Sequence, residues 1–133
     1  MRIAAAIFVA MHGAGHVVWF LSTWAQSALG KPGREELDRH RDGFVVQPEA
    51  TAGKIVGIMS LVVIAGFAVT AWGIWIEASW WPPVLVASAL TSMIVILTMW
   101  NPIKRLSIRA LLANVGLTAA TFMPWGERFL GAH

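Results

Sequence analysis

The chain has no cysteine among its 133 residues, so disulfides, thiolate metal sites, iron–sulfur clusters and cysteine nucleophiles are excluded together. Charge is nearly as scarce. Asp, Glu, Lys and Arg make up 13% of the residues, where a soluble domain carries about 25%. Neither G-x-x-x-x-G-K-[ST] nor G-x-G-x-x-G occurs, so no phosphate cradle is visible. No Ser/His/Asp set and no pair of carboxylates inside an apolar run is present, which leaves hydrolysis without its usual machinery. After the apolar runs are set aside, no stretch approaches the roughly 50 residues that a separate soluble domain needs.

What is present is apolar: 57% of the residues are hydrophobic. The seven acids and ten bases fall mostly into two short clusters, with long uncharged runs between them. Those runs predict four membrane spans at about residues 3–25, 55–76, 83–100 and 110–125, the last near the lower length limit. The expected fold class is an all-α integral membrane four-helix bundle, one domain over residues 1–133. The first run follows Arg2 as a signal peptide would, but it exceeds 20 residues, against about 7–15 for a signal h-region. Residues 30–54 form the one long polar segment, expected as a cytoplasmic loop; Pro32 can start a short helix in it, supported by Glu35 with Arg39 and Glu36 with His40.

Lys and Arg set the orientation. Lys31, Arg34, Arg39, Arg41 and Lys54 lie in the first connection and Lys104, Arg105 and Arg109 in the third, against Arg2 and Arg128 on the other side. The positive-inside rule puts those two connections in the cytoplasm and both termini outside, a multi-pass protein of the cell membrane. Trp72, Trp75, Trp80, Trp81 and Trp125 then gather at the outer interface, with Trp24 and Trp100 at the inner one. The basic balance, +3 overall, is accounted for by anionic lipid beside the spans; nucleic acid is not an expected partner. Leu21-Ser22-Thr23-Trp24 and Leu97-Thr98-Met99-Trp100 resemble each other, as two helices converging on a Trp anchor would.

The most informative stretch is His12-Gly13-Ala14-Gly15-His16, in the middle of the first span. Residues i and i+4 share a helix face, so the two imidazoles lie one above the other on a stripe with Phe8, Trp19 and Phe20. Ionisable groups at this depth are expensive against lipid and mark functional candidates. Gly13 and Gly15 allow a neighbouring helix or a ligand to approach closely. Counting about 1.5 Å per residue from the cytoplasmic ends puts His16, Ser60, Ser92 and Thr118 at one level, with Asn114 a turn below Thr118. These five residues, with His12, are the candidate ligand- or proton-binding set.

Several readings of the pair are open. The imidazoles can be packing residues bonded across helix interfaces, or a site for a proton, ion or small molecule. A metal site would use His12 and His16, but no third strong ligand is evident, although Met11, Met59 or Met93 could serve soft Cu(I). Haem is disfavoured because both rings leave one helix in the same direction and no other span holds a His. No cofactor is expected. Glu77, Glu127 and Arg128 at the outer edge read as solvated span ends. Gly53-x-x-x-Gly57 and Ser88-x-x-x-Ser92 suit close helix packing, and Pro82-Pro83 and Asn101-Pro102 bound the third span.

The His12-Gly13-Ala14-Gly15-His16 stretch, Gly57, the Trp80-Trp81 pair and Ser92 together resemble a group of small, poorly characterised bacterial four-helix membrane proteins with an HGxxH-like first span. The resemblance covers most of the chain. It implies the four-helix architecture and draws attention to His12 and His16, and it carries no substrate. The leading functional expectation is a non-enzymatic membrane protein that binds or conducts a small solute or proton, as a homo-oligomer or as part of a larger membrane complex. The alternatives are a small enzyme acting on a lipidic substrate with His12 or His16 as acid/base, and a structural subunit.

Overall fold

The computed structural model describes residues 2–21, 51–98 and 104–123. Among them the chain is all-helical, without a strand. The first helix comes in two pieces, α1 (Arg2–Ala14) and α2 (His16–Phe20); α3 (Thr51–Trp75), α4 (Trp81–Thr98) and α5 (Lys104–Phe122) complete four helices. Of these, α3 from Gly53 and α4 are long and apolar enough to cross a membrane; Arg2–Ala14 and Ser107–Phe122 are shorter apolar helices.

Boundaries differ from the sequence expectation in an informative way. Helix α3 begins at Thr51, so residues 51–54 belong to it and not to the polar loop. Helix α5 begins at Lys104, six residues before the expected span, which brings Lys104, Arg105 and Arg109 into a helix. Hydropathy marks the apolar stretch, whereas helical hydrogen bonding continues past it into residues such as Lys and Arg that are good helix formers. The rest of the polar loop, with its Glu35–Arg39 and Glu36–His40 pairs, lies outside the described residues, as do Trp24, Trp100, Trp125, Glu127 and Arg128.

Packing follows seams with helical spacing. Ala5, Ala6, Val9, Gly13 and His16 are buried along the first helix. Val56, Ser60, Val63, Phe67, Thr70 and Ile74 are buried along α3 in alternating steps of three and four, the spacing that keeps one stripe against a partner. Trp81, Leu85, Ser88, Ser92 and Val95 do the same on α4. Helices α1 and α2 pack on α3, α3 on α4, and α4 on α5, so the closest packing runs in a row.

Large apolar side chains are exposed as well as buried. Val62, Trp72, Leu90, Ile94, Leu112, Val115 and Phe122 are all exposed. Among the described residues, by contrast, the buried set includes Ser60, Thr70, Ser88, Ser92, Ser107, Asn114 and His16.

Two of the close approaches depend on glycine. A Cβ at Gly73 would stand 2.6 Å from the Cβ of Trp81, and one at Gly66 would overlap the hydroxyl of Ser88. Trp81 is accordingly only 2% exposed and belongs to the core. This corrects its expected place among the interface tryptophans: Trp72, Trp75 and Trp80 are exposed, but the slot at Gly73 takes Trp81 inward. At the end of α3, Ala78 N–H donates to Gly73 C=O and Glu77 N–H to Ile74 C=O, the paired bonds of a Schellman cap. Its left-handed position holds Glu77 at φ 58° where glycine is usual, and the Glu77 carboxylate pairs with the Arg2 guanidinium. That ion pair joins the start of α1 to the α3–α4 turn.

Gly73→Ala is expected to cost about 1–3 kcal/mol through overpacking against Trp81. Gly116→Ala, where a Cβ meets nothing within 4 Å, is expected to be neutral or to stabilise by up to about 1 kcal/mol from helix propensity. Thermal unfolding of both variants in mild detergent checks the contrast, and equal effects would contradict the packing.

Candidate functional site

The first helix is interrupted between its two histidines. Gly15 N–H is shared between the carbonyls of Met11 and His12, each at 3.2 Å, and a new helical segment starts at His16. Both imidazoles still lie on one side of the helix. They meet edge to face, with centroids 6.3 Å apart and planes at 78°, so they are not stacked ring on ring. Phe8 stacks on the other side of His12 at 6.4 Å and 19°. The ring of Phe67 meets His12 edge-on at 5.1 Å. This contact exists because a Cβ at Gly13 would come within 2.6 Å of Phe67 Cβ: the missing side chain lets α3 approach α1 beside the imidazole. The side chain of Trp19 lies outside the described residues, and Phe20 is half-buried at the end of the stripe.

Polar partners come from the other two helices. His12 Nε2 lies 2.9 Å from Asn114 Oδ1. Asn114 Nδ2 donates to Ser92 Oγ at 2.7 Å, and Ser92 Oγ lies 2.8 Å from His16 Nε2. The four side chains form one continuous hydrogen-bonded chain, His12–Asn114–Ser92–His16, drawn from α1, α5, α4 and α2. Asn114 and Ser92 are fully buried and His16 is 3% exposed. The nearest-neighbour row of helices is therefore closed across its middle by these bonds.

Four of the six sequence candidates meet here, and two do not. Ser60 is fully buried, but its hydroxyl donates to the Val56 carbonyl of its own helix at 3.0 Å. Depth in a span sets a residue's level and leaves its direction open, and serine can always turn back on the preceding turn. Thr70, Ser88, Thr91, Thr98 and Thr121 are satisfied in the same way. Ser92 is set apart by bonding across the interior. Thr118 does not share the layer: Asn114, the residue expected a turn below it, makes the bonds, while Thr118 Oγ1 is buried without a partner. Ser107 Oγ and His16 Nδ1 are also buried and unpartnered. Phe67 and Ser107 were not among the candidates. Nothing in the sequence marks Phe67 except its register on the α3 seam, and Ser107 lies close to the basic cluster that reads as a loop.

Among the described residues no group of three or more His, Asp and Glu could hold a metal ion, and both imidazole Nε2 atoms are already engaged by Asn114 and Ser92. An open groove of about 330 Å³ between α3 and α4, lined by Val62, Gly66, Val84, Ser88 and Thr91 among others, contains none of the four cluster residues. Comparison with protein-family models, with curated proteins and with solved structures found no match to this chain.

A double-mutant cycle on His12→Ala and Asn114→Ala is expected to give a coupling of about 0.6 kcal/mol, with about 1.7 kcal/mol as an upper bound for such a bond in a membrane. Unfolding measured in a lipid or detergent environment supplies the four free energies. Zero coupling would remove the bond from the account.

Proposed function

We propose that the chain is an integral membrane protein whose interior binds a small polar solute at the His12–Asn114–Ser92–His16 cluster. The membrane reading draws support from two helices of sufficient length and apolarity, from exposed faces of Val, Leu, Ile, Trp and Phe, and from polar side chains turned inward. In this reading all four helices span the bilayer, the first and third connections lie at the cytoplasmic side with the basic clusters, and both termini are outside. The Arg2–Glu77 pair fits it, since it joins two segments assigned to the outer edge. Membership of the HGxxH-like four-helix group is part of the same proposal.

The observation that carries the solute site is the unfinished hydrogen bonding. A cluster serving only to hold helices together gains most when every polar atom is satisfied. Here His16 Nδ1 is buried and unpartnered, and so is Thr118 Oγ1 one turn along α5 from Asn114. Binding is favoured over proton conduction by the chemistry of the connecting residue. Asn114 joins the two histidines through a carboxamide, which passes hydrogen-bond polarity but neither gains nor loses a proton readily, unlike imidazole or a carboxylate.

His12→Ala/His16→Ala tests the site against a purely structural role. Asn114 and Ser92 keep their mutual bond in this variant, and each lost bond is worth only about 0.6 kcal/mol. Insertion and helical content by circular dichroism are therefore expected to be retained. A thermal-shift screen of small uncharged polar solutes is expected to stabilise the wild type and not the variant. A variant that fails to fold, or a screen in which no solute distinguishes the two proteins, would overturn the proposal in favour of a structural role.

A further inference from the structure

The hydrogen-bonded chain has a direction, and the direction selects the ligand. Asn114 presents its carbonyl oxygen to His12 and its amide N–H to Ser92. An oxygen acceptor facing His12 Nε2 requires that nitrogen to carry the ring's proton. Ser92 Oγ accepts from Asn114, and its own hydrogen has one described partner, His16 Nε2 at 2.8 Å. That nitrogen is then the acceptor, so the proton of the neutral His16 ring resides on Nδ1. With the amide in this orientation and the Ser92 hydrogen given to His16, the two imidazoles hold opposite tautomers, Nε2–H on His12 and Nδ1–H on His16, four residues apart. Turning the amide over would reverse every bond and exchange both tautomers, each ring still carrying one N–H. In either direction the two rings hold opposite tautomers as long as the Ser92 hydrogen is itself used in the chain.

We infer that the site takes a small uncharged molecule through a hydrogen-bond acceptor oxygen, such as a carbonyl, placed on His16 Nδ1–H. This inference rests on the solute-site reading above and supplies its ligand class. His16 is 3% exposed and its Nδ1 has no partner, so its N–H is a buried donor that lacks an acceptor, the more costly kind of unmade bond. Thr118 Oγ1, also unpartnered, imposes no such choice because a hydroxyl can rotate to donate or accept. The ligand is uncharged because no Asp, Glu, Lys or Arg is buried among the described residues, and an ion brought there would have no countercharge.

The test uses the full chain in bicelles, labelled with ¹⁵N-histidine and carrying His40→Asn and His133→Asn so that only the two rings report. At about pH 8.5 neutral imidazoles dominate, and ¹⁵N spectra distinguish protonated from bare ring nitrogens. Expected are Nε2–H on His12 and Nδ1–H on His16. N,N-dimethylacetamide, which can only accept, is expected to shift the His16 Nδ1 resonance; pyrrole, a donor at its N–H, is not. Ser92→Ala, which removes the hydroxyl that fixes His16, is expected to return His16 to a mixture of tautomers while His12 stays Nε2–H.

Identical tautomers in the two rings, or a bare His16 Nδ1, would overturn the inference and leave the solute site standing, with a donor ligand in place of an acceptor. The expected tautomers with no response to dimethylacetamide would overturn the acceptor class. Failure of the underlying solute reading is recognised separately, by a thermal-shift screen in which no solute of either polarity acts.

Discussion

A polar group buried away from water costs free energy unless another polar group satisfies it, and among the described residues His12, Asn114, Ser92 and His16 meet that requirement across helices. The helices pack in a row, α1 and α2 on α3, α3 on α4, α4 on α5. Bonds from His12 to Asn114, Asn114 to Ser92 and Ser92 to His16 connect the first helix with the last two. Each such bond is individually weak in a membrane, of the order of 0.6 kcal/mol. Their effect on arrangement is larger than their effect on stability, because breaking one leaves a neighbour without a partner in an apolar interior. The cluster therefore fixes which faces of the helices look inward.

Close packing makes this geometry attainable. The small residues Ala5, Ala6 and Gly13 lie on the buried face of the first helix, and at Gly13 the Phe67 side chain occupies the space a Cβ would need. The same relation brings α3 and α4 together at Gly66 with Ser88 and at Gly73 with Trp81. Helices that share only apolar surfaces with lipid gain little from hydrophobic exclusion, so backbone proximity and dispersion contacts matter more there. At the α3–α4 turn, Glu77 occupies a left-handed position that costs a non-glycine residue about 1–2 kcal/mol. Its carboxylate is thereby held at the start of α1, where it pairs with Arg2.

Much of this was legible in the residues themselves. Long uncharged runs locate the helices, and two histidines inside one of them stand out because their cost against lipid demands an explanation. Counting depth brought Ser92 and Asn114 to the right neighbourhood. It also brought Ser60, which bonds its own helix, and Thr118, which bonds nothing described; rise per residue gives height, and the missing coordinate is rotation about the helix axis. The contact of Phe67 with Gly13 depends on the register between two helices, which no single-helix pattern contains. Trp81 reads as an interfacial anchor until Gly73, two residues before the end of α3, is seen to open a slot for it. The directional order of the cluster needed atomic geometry, since serine and asparagine can each donate or accept.

Solid-state NMR of the labelled protein in lipid bilayers tests the central claim most directly, through contacts between the histidine rings and their surroundings. The account predicts cross-peaks from His12 to the Asn114 side chain and from His16 to the Ser92 side chain, with no contact from either ring to lipid acyl chains. Rings that contact acyl chains and lack the Asn114 and Ser92 cross-peaks would contradict it.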